Sequence, residues 1–170
     1  MRKSVRQLTH GALLAAVYVV LCHLQNFILP GSASWAIQFR WAEALCVMAF
    51  FTPAAVGGLS LGCLLFNITS GAGLPLDLII GTAATTLATG SMYLSRKVTV
   101  KGCPLPGLLM PALFNGFLVG WELWLYIGGG FWWNVGCVAL GEAVVLLTAG
   151  IGLYYLIRKM GPDRLGISPR

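Results

Sequence analysis

Charged residues are scarce in this chain, and they are unevenly spread. Asp, Glu, Lys and Arg make up 9% of its 170 residues, against 58% hydrophobic ones, which is too little charge to cover a soluble globule. None of the four occurs within residues 7–39, 44–76, 78–95, 102–121 or 143–157. These runs read as membrane-spanning helices, which need about 20 residues each, or as tight pairs of them. Also absent are a GxxxxGK[ST] phosphate loop, HExxH, GxSxG and CxxC, so the chain has no motif for ATP hydrolysis, zinc proteolysis, serine hydrolysis or dithiol chemistry. We expect a binding protein rather than an enzyme, with no cofactor and no metal. Cys22, Cys46, Cys63, Cys103 and Cys137 are scattered through apolar runs and read as reduced packing residues.

What is present gives an all-α integral membrane protein, a single domain over residues 1–170. Six transmembrane helices are expected near 8–29, 38–51, 53–68, 75–95, 107–127 and 131–157. The basic N-terminus before the first apolar run has the look of a signal peptide, but the run is too long and lacks a cleavage site, so it reads as helix 1. Pro30-Gly31 closes that helix, and the polar loop 32–37, which holds Trp35, reads as a lid. Thr52-Pro53 reads as an N-cap and first-turn proline, and Gly128-Gly129-Gly130 separates the last two helices. The polar tail 158–170 is expected to fray.

Basic residues orient the bundle. Arg2, Lys3 and Arg6 precede helix 1, Arg96, Lys97 and Lys101 follow helix 4, and Arg158, Lys159, Arg164 and Arg170 follow helix 6. With an even helix count these clusters share one side, which the positive-inside rule makes cytoplasmic, and both termini with it. The net charge of +6 is thereby explained without a nucleic-acid partner. Arg40 alone breaks the rule.

At a rise of about 1.5 Å per residue, Glu43, Asn67, Asp77, Glu122, Asn134 and Glu142 all fall in the outer half of the expected bundle. An ionisable group inside a membrane costs about 2.5–3.5 kcal/mol on insertion scales and marks substrate pathways. Together with Arg40 the four acids form a net negative cluster suited to a cationic ligand. Trp35, Trp41, Trp121, Trp124, Trp132 and Trp133 surround it, and their faces could stack a planar heterocycle. Each residue also has a plainer reading. The tryptophans can be interfacial anchors, Asp77 a helix-terminus acid, Arg40 and Glu43 an i,i+3 ion pair. Asn67, Asn115 and Asn134 can be interhelical glue, and His10 and His23 packing or interfacial residues. Small-residue spacings occur at Ala12/Ala16, Gly58/Gly62 and Gly116/Gly120, and these allow close helix approach.

Several ordered segments carry a resemblance: Ile37-Gln38-Phe39-Arg40-Trp41-Ala42-Glu43-Ala44-Leu45, then 50–55, 58–63 with Asn67, Leu76-Asp77, 115–122, and Trp133-Asn134 leading to Gly141-Glu142. Over residues 8–156 the chain resembles the QueT-type queuosine-precursor transporters, the substrate-binding S components of bacterial energy-coupling factor (ECF) transporters. The resemblance implies an outward-facing pocket under the first loop and a 7-deazaguanine ligand, 7-aminomethyl-7-deazaguanine or its 7-cyano relative. It implies a place in the bacterial cytoplasmic membrane. In that reading Glu43, Glu122 or Glu142 receives the amine and the guanidine-like edge. Gln38, Asn67 and Asn134 read the remaining edges, Trp121 or Trp133 stacks the ring, and Arg40, Asp77 and Asn115 complete the set. Ala12 and Ala16 would contact a membrane-embedded, EcfT-like coupling subunit, with two partner ATPase subunits driving release by toppling. The alternatives are an S component for another vitamin-like heterocycle, a membrane enzyme using Glu122 and Glu142 as acid and base, and a purely structural subunit.

Overall fold

The computed structural model describes residues 3–30, 32, 39–70, 76–100 and 102–167. Their backbone is helical throughout apart from connections and an isolated bridge between Val100 and Cys103. In chain order come α1 (Lys3–Ile28), a 3₁₀ helix (Trp41–Phe50), α2 (Ala54–Ser70), α3 (Asp77–Ser95), α4 (Leu105–Leu108), α5 (Met110–Ile127), α6 (Phe131–Val145), a π-helical turn (Leu146–Gly150) and α7 (Ile151–Met160). Since α4 runs into α5, and α6 runs through the π turn into α7, these make six helical bodies. Three are long and apolar enough to cross a membrane: Ser4–Ile28, Leu105–Ile127 and Phe131–Met160.

Two hairpins set the frame. In the first, α1 lies against α2, and the contact is made by glycines. A Cβ on Gly58 would stand 2.5 Å from the Gly11 carbonyl oxygen, and one on Gly62 would stand 2.8 Å from the Tyr18 Cβ. In the second, α5 returns as α6 through Gly128 and Gly129, whose φ angles of 82° and 78° favour glycine. Val135 and Ala139 on α6 occupy the space left open at Gly120 and Gly116. Both Gly-xxx-Gly pairs are therefore spent on internal packing.

The 3₁₀ helix runs through the middle, touching α1, α2, α3, α6, the π turn and α7. The expected second α-helix is here wound more tightly. At about 2.0 Å rise per residue, ten residues span about 20 Å rather than about 15 Å, so depths reckoned on an α-helical rise do not hold for this segment. Runs of this kind beyond 3–4 residues are uncommon. Small residues make this one possible: Ala42, Ala44 and Ala49 are buried beside Cys46, Val47 and Phe50, so surrounding helices close in on every side. With three residues per turn, side chains eclipse in rows. Trp41, Ala44, Val47 and Phe50 form one row along the π turn and α7, where Val47 meets Gly150 and the Phe50 ring meets Tyr154 edge-on. Arg40, Glu43, Cys46 and Ala49 form another, in which Glu43 meets Tyr18 of α1.

The C-terminal segment departs from expectation. Beyond α7 the chain turns back on itself, the Ile167 amide donates to the Pro162 carbonyl at 3.0 Å, and Ile167 is buried in the main core. An apolar side chain placed one turn past the positive-φ Gly161 anchors a tail that its polarity alone would leave free. Arg158 ties α7 to the α3–α4 connection by donating to the Gly102 carbonyl at 3.2 Å. All five cysteines are buried free thiols.

Candidate functional site

Five of the expected polar residues converge on one region from three bodies. Arg40 precedes the 3₁₀ helix, Glu43 lies in its first turn, Asn115 and Glu122 come from α5, and Glu142 comes from α6. All are buried, with exposures of 5%, 0%, 1%, 1% and 1% respectively. The Gly128–Gly129 turn explains how α5 and α6 contribute jointly. Asn115 and Glu142 are nearly equidistant from it in sequence, so the antiparallel return brings them level, and the Asn115 Nδ2 donates to Glu142 Oε1 at 3.1 Å.

The hydrogen bonds divide these groups sharply. Each oxygen of Glu43 accepts from a neutral donor, Tyr18 Oη donating to Oε1 at 2.7 Å and Cys46 Sγ to Oε2 at 3.1 Å. No Arg40–Glu43 ion pair forms among the described residues, so the intrahelical pairing open in the sequence is not realised. Left without any partner are Arg40 Nε, Asn115 Oδ1, Glu142 Oε2 and both oxygens of Glu122. Buried polar atoms are almost always paired, and each one left unpaired costs about 1–3 kcal/mol. A group of such atoms within one cluster offers a set of polar contacts to a ligand.

Asp77 joins the cluster from the first turn of α3. Its carboxyl lies within electrostatic reach of Glu122, and its backbone carbonyl accepts from Asn67 Nδ2 at 2.8 Å, which fastens the end of α2 to the start of α3. Two carboxyl groups in contact repel unless a proton or cation lies between them. Arg40 sits within electrostatic reach of Tyr18, Asp77, Cys63 and Glu142, one cation among four carboxyl groups. Among the described residues no three His, Cys, Asp or Glu side chains are placed to hold a metal ion.

Other expected residues lie elsewhere. Gln38 and Trp35 fall outside the described residues. Asn134 is committed to the α5–α6 turn, its Nδ2 donating to the Gly128 carbonyl at 3.0 Å. Trp133 is 71% exposed and Trp121 41%, on outward helix faces, so they do not stack over the buried carboxyl groups. The physical reason is register: Trp133 is one residue from Asn134, which takes the inward position, and Trp121 is one from Glu122. Trp41 likewise lies on the row facing α6. There it helps Leu29, Phe39, Val144 and Thr148 line an apolar hollow of about 370 Å³ that excludes the carboxyl groups.

Sequence reasoning missed three residues that shape the site. Tyr18, in an apolar run, reads as packing until its hydroxyl is seen on Glu43. Gly81 stands one turn beyond Asp77, and a Cβ there would lie 3.1 Å from Asn67 Nδ2 and 3.4 Å from Asp77 Oδ1, so glycine keeps a niche open beside both. Gln25 was the most visible, as an amide beside Asn26 in the last turn of a largely apolar helix 1. It accepts from the Trp41 amide at 2.8 Å and donates to Ser32 Oγ at 2.8 Å and to the Phe39 carbonyl, pinning both ends of the connection between α1 and the 3₁₀ helix. Gln25→Ala leaves these groups unpaired at a cost of about 1–3 kcal/mol. The expected result is a lower melting temperature with faster proteolysis within residues 29–41. Unchanged cleavage there would show that the clamp does not hold the connection.

A family model described as QueT transporter matches residues 8–159. No curated protein and no solved structure matches. The match spans all six helical bodies and every described residue of the cluster. This chain belongs to the QueT transporter family, and is a membrane transporter rather than an enzyme.

Proposed function

We propose that the chain is the substrate-binding S component of an ECF-type importer for a queuosine precursor, with 7-aminomethyl-7-deazaguanine as the preferred ligand. The observation that carries this reading is the set of unpartnered buried atoms on Arg40, Asn115, Glu122 and Glu142. They offer hydrogen-bond acceptors and one donor in an enclosed, net acidic region, and a flat purine analogue with a cationic arm needs that combination. Family membership supplies transport, and the charge distribution along the sequence supports cytoplasmic termini in a bacterial cytoplasmic membrane.

Energy would come from partners. Ala12 and Ala16 are exposed on α1, which is the least buried of the three long helices. They and the exposed Leu8, Leu13, Val17 and Val20 leave an apolar, small-residue face for a membrane-embedded coupling subunit, to which two ATPase subunits would attach.

Calorimetric titration of the purified, detergent-solubilised protein with 7-aminomethyl-7-deazaguanine, the 7-cyano compound and guanine tests the ligand class. The expected outcome is binding with at least about tenfold preference for the aminomethyl compound, equivalent to about 1.4 kcal/mol. Failure of the folded protein to bind any of the three would refute it.

A further inference from the structure

The polar region is not uniform, and its unpaired atoms sort into two groups of different chemistry. On one side Asn115 Oδ1 and Glu142 Oε2 are free acceptors. The donation from Asn115 Nδ2 to Glu142 Oε1 fixes which end of the amide is free. Between the two sides, Arg40 Nε, on a guanidinium within electrostatic reach of both Asp77 and Glu142, is a free donor. Two acceptors and a donor complement an edge that presents a carbonyl oxygen beside two N–H groups, the pattern of a guanine-type amide and exocyclic amine.

On the other side neither oxygen of the buried Glu122 carboxyl has a hydrogen-bond partner among the described residues, and the group lies within electrostatic reach of the Asp77 carboxyl and of Arg40. Glu122 is as fully covered as Glu142, each 1% exposed. Gly81 leaves space next to Asp77 Oδ1 and the Asn67 amide. Glu43, by contrast, already accepts a hydrogen bond at each of its oxygens, whereas Glu122 accepts none. A primary ammonium has three N–H donors and no acceptor, and its charge adds to that of Arg40, one guanidinium among four carboxyl groups.

We propose that the site is divided. Arg40, Asn115 and Glu142 read the guanine-type edge, and Asp77 with Glu122 forms a separate subsite for the ligand's primary ammonium arm. The assignment rests on the functional reading above and adds to it the residues that set specificity: Glu122 and Asp77 discriminate between ligands by the charge of the arm, and the Glu142 side does not. The consequence is a selectivity that can be removed without removing binding.

The test is a titration of the full-length protein and its Glu122→Gln and Asp77→Asn variants with the aminomethyl compound, the cyano compound and guanine, with thermal unfolding as the folding control. A charge-assisted hydrogen bond contributes about 1.5–3 kcal/mol, so Glu122→Gln is expected to weaken the aminomethyl compound roughly 10- to 100-fold. Affinity for the cyano compound and guanine, which lack the ammonium, should stay within about threefold, as for a change remote from the contacts those ligands make. Asp77→Asn is expected to act in the same direction, and because Asp77 is half-exposed it decides the question if Glu122→Gln does not fold. Equal weakening of all three ligands, or no weakening of the aminomethyl compound, overturns the divided site while leaving the transporter reading intact. No binding of any ligand by the unmodified, folded protein overturns both.

Discussion

Arg40→Met is expected to cost on the order of 3–5 kcal/mol of stability, the range found when one member of a buried charge cluster is removed. The guanidinium is 5% exposed and is the one cation within electrostatic reach of Asp77, Glu142 and the Tyr18–Glu43 pair. Methionine conserves much of the volume, so lost packing would contribute little. What changes is charge: four carboxyl groups held in apolar surroundings would have no counter-charge. Thermal unfolding of the purified variant in detergent measures this, and the same sample should fail to bind the aminomethyl compound. A variant that melts like the unmodified protein would show that the carboxyl groups are held without Arg40. Arg40→Lys should recover part of the stability, since the charge returns, and less of the binding, since the planar guanidinium donor does not.

Gly58→Ala is expected to be nearly as damaging for a different reason. The added methyl carbon would stand 2.5 Å from the oxygen and 2.8 Å from the Cα of Gly11. Both are backbone atoms of a facing helix, so no side chain can swing aside, and α1 must move away from α2 as a body. Overpacking of this kind costs about 1–3 kcal/mol and occasionally more. The neighbouring residue gives the control. A Cβ on Gly57 meets nothing within 4 Å, so Gly57→Ala should be neutral or should stabilise by up to about 1 kcal/mol through helix propensity. Melting curves of the two variants should therefore diverge in opposite directions from the unmodified protein, and coincidence of the two would refute the close glycine contact. Because Tyr18 lies on the same α1–α2 contact, where Gly62 meets it, a shift at Gly58 should also disturb Glu43.

These two residues show where the sequence is informative and where it is not. Arg40 stood out without any structure, as the one cation away from the three basic clusters and in a chain with 11 basic residues in all. The convergence of Glu122, Glu142 and Asn115 was visible only as a coincidence of acids in apolar runs. The partners of those groups were not visible, because a hydroxyl or amide in a greasy run has the same local signature whether it lines a site or faces a neighbouring helix. Tyr18 and Gln25 are of this type. Tryptophans misled for the opposite reason: Trp121 and Trp133 are next to inward polar residues in sequence, and adjacent helical positions point about 100° apart.

Composition and order by themselves determined the membrane class, the all-helical backbone and the family, because burying so few charges in such long apolar runs leaves a membrane helix bundle as the solution. They also marked the turn at Gly128–Gly129 and the hinge at Thr52, whose Oγ1 receives the Ala54 amide at 3.3 Å, since caps and positive-φ turns are local chemistry. Only the tertiary structure decided the pitch of Trp41–Phe50, the engagement of Glu43 by Tyr18 and Cys46, the approach of Asp77 to Glu122, and the return of Ile167 to the core. Each depends on which distant helix arrives opposite a given side chain. That is set by glycine contacts and packing summed over the whole bundle, and no local stretch of sequence contains it.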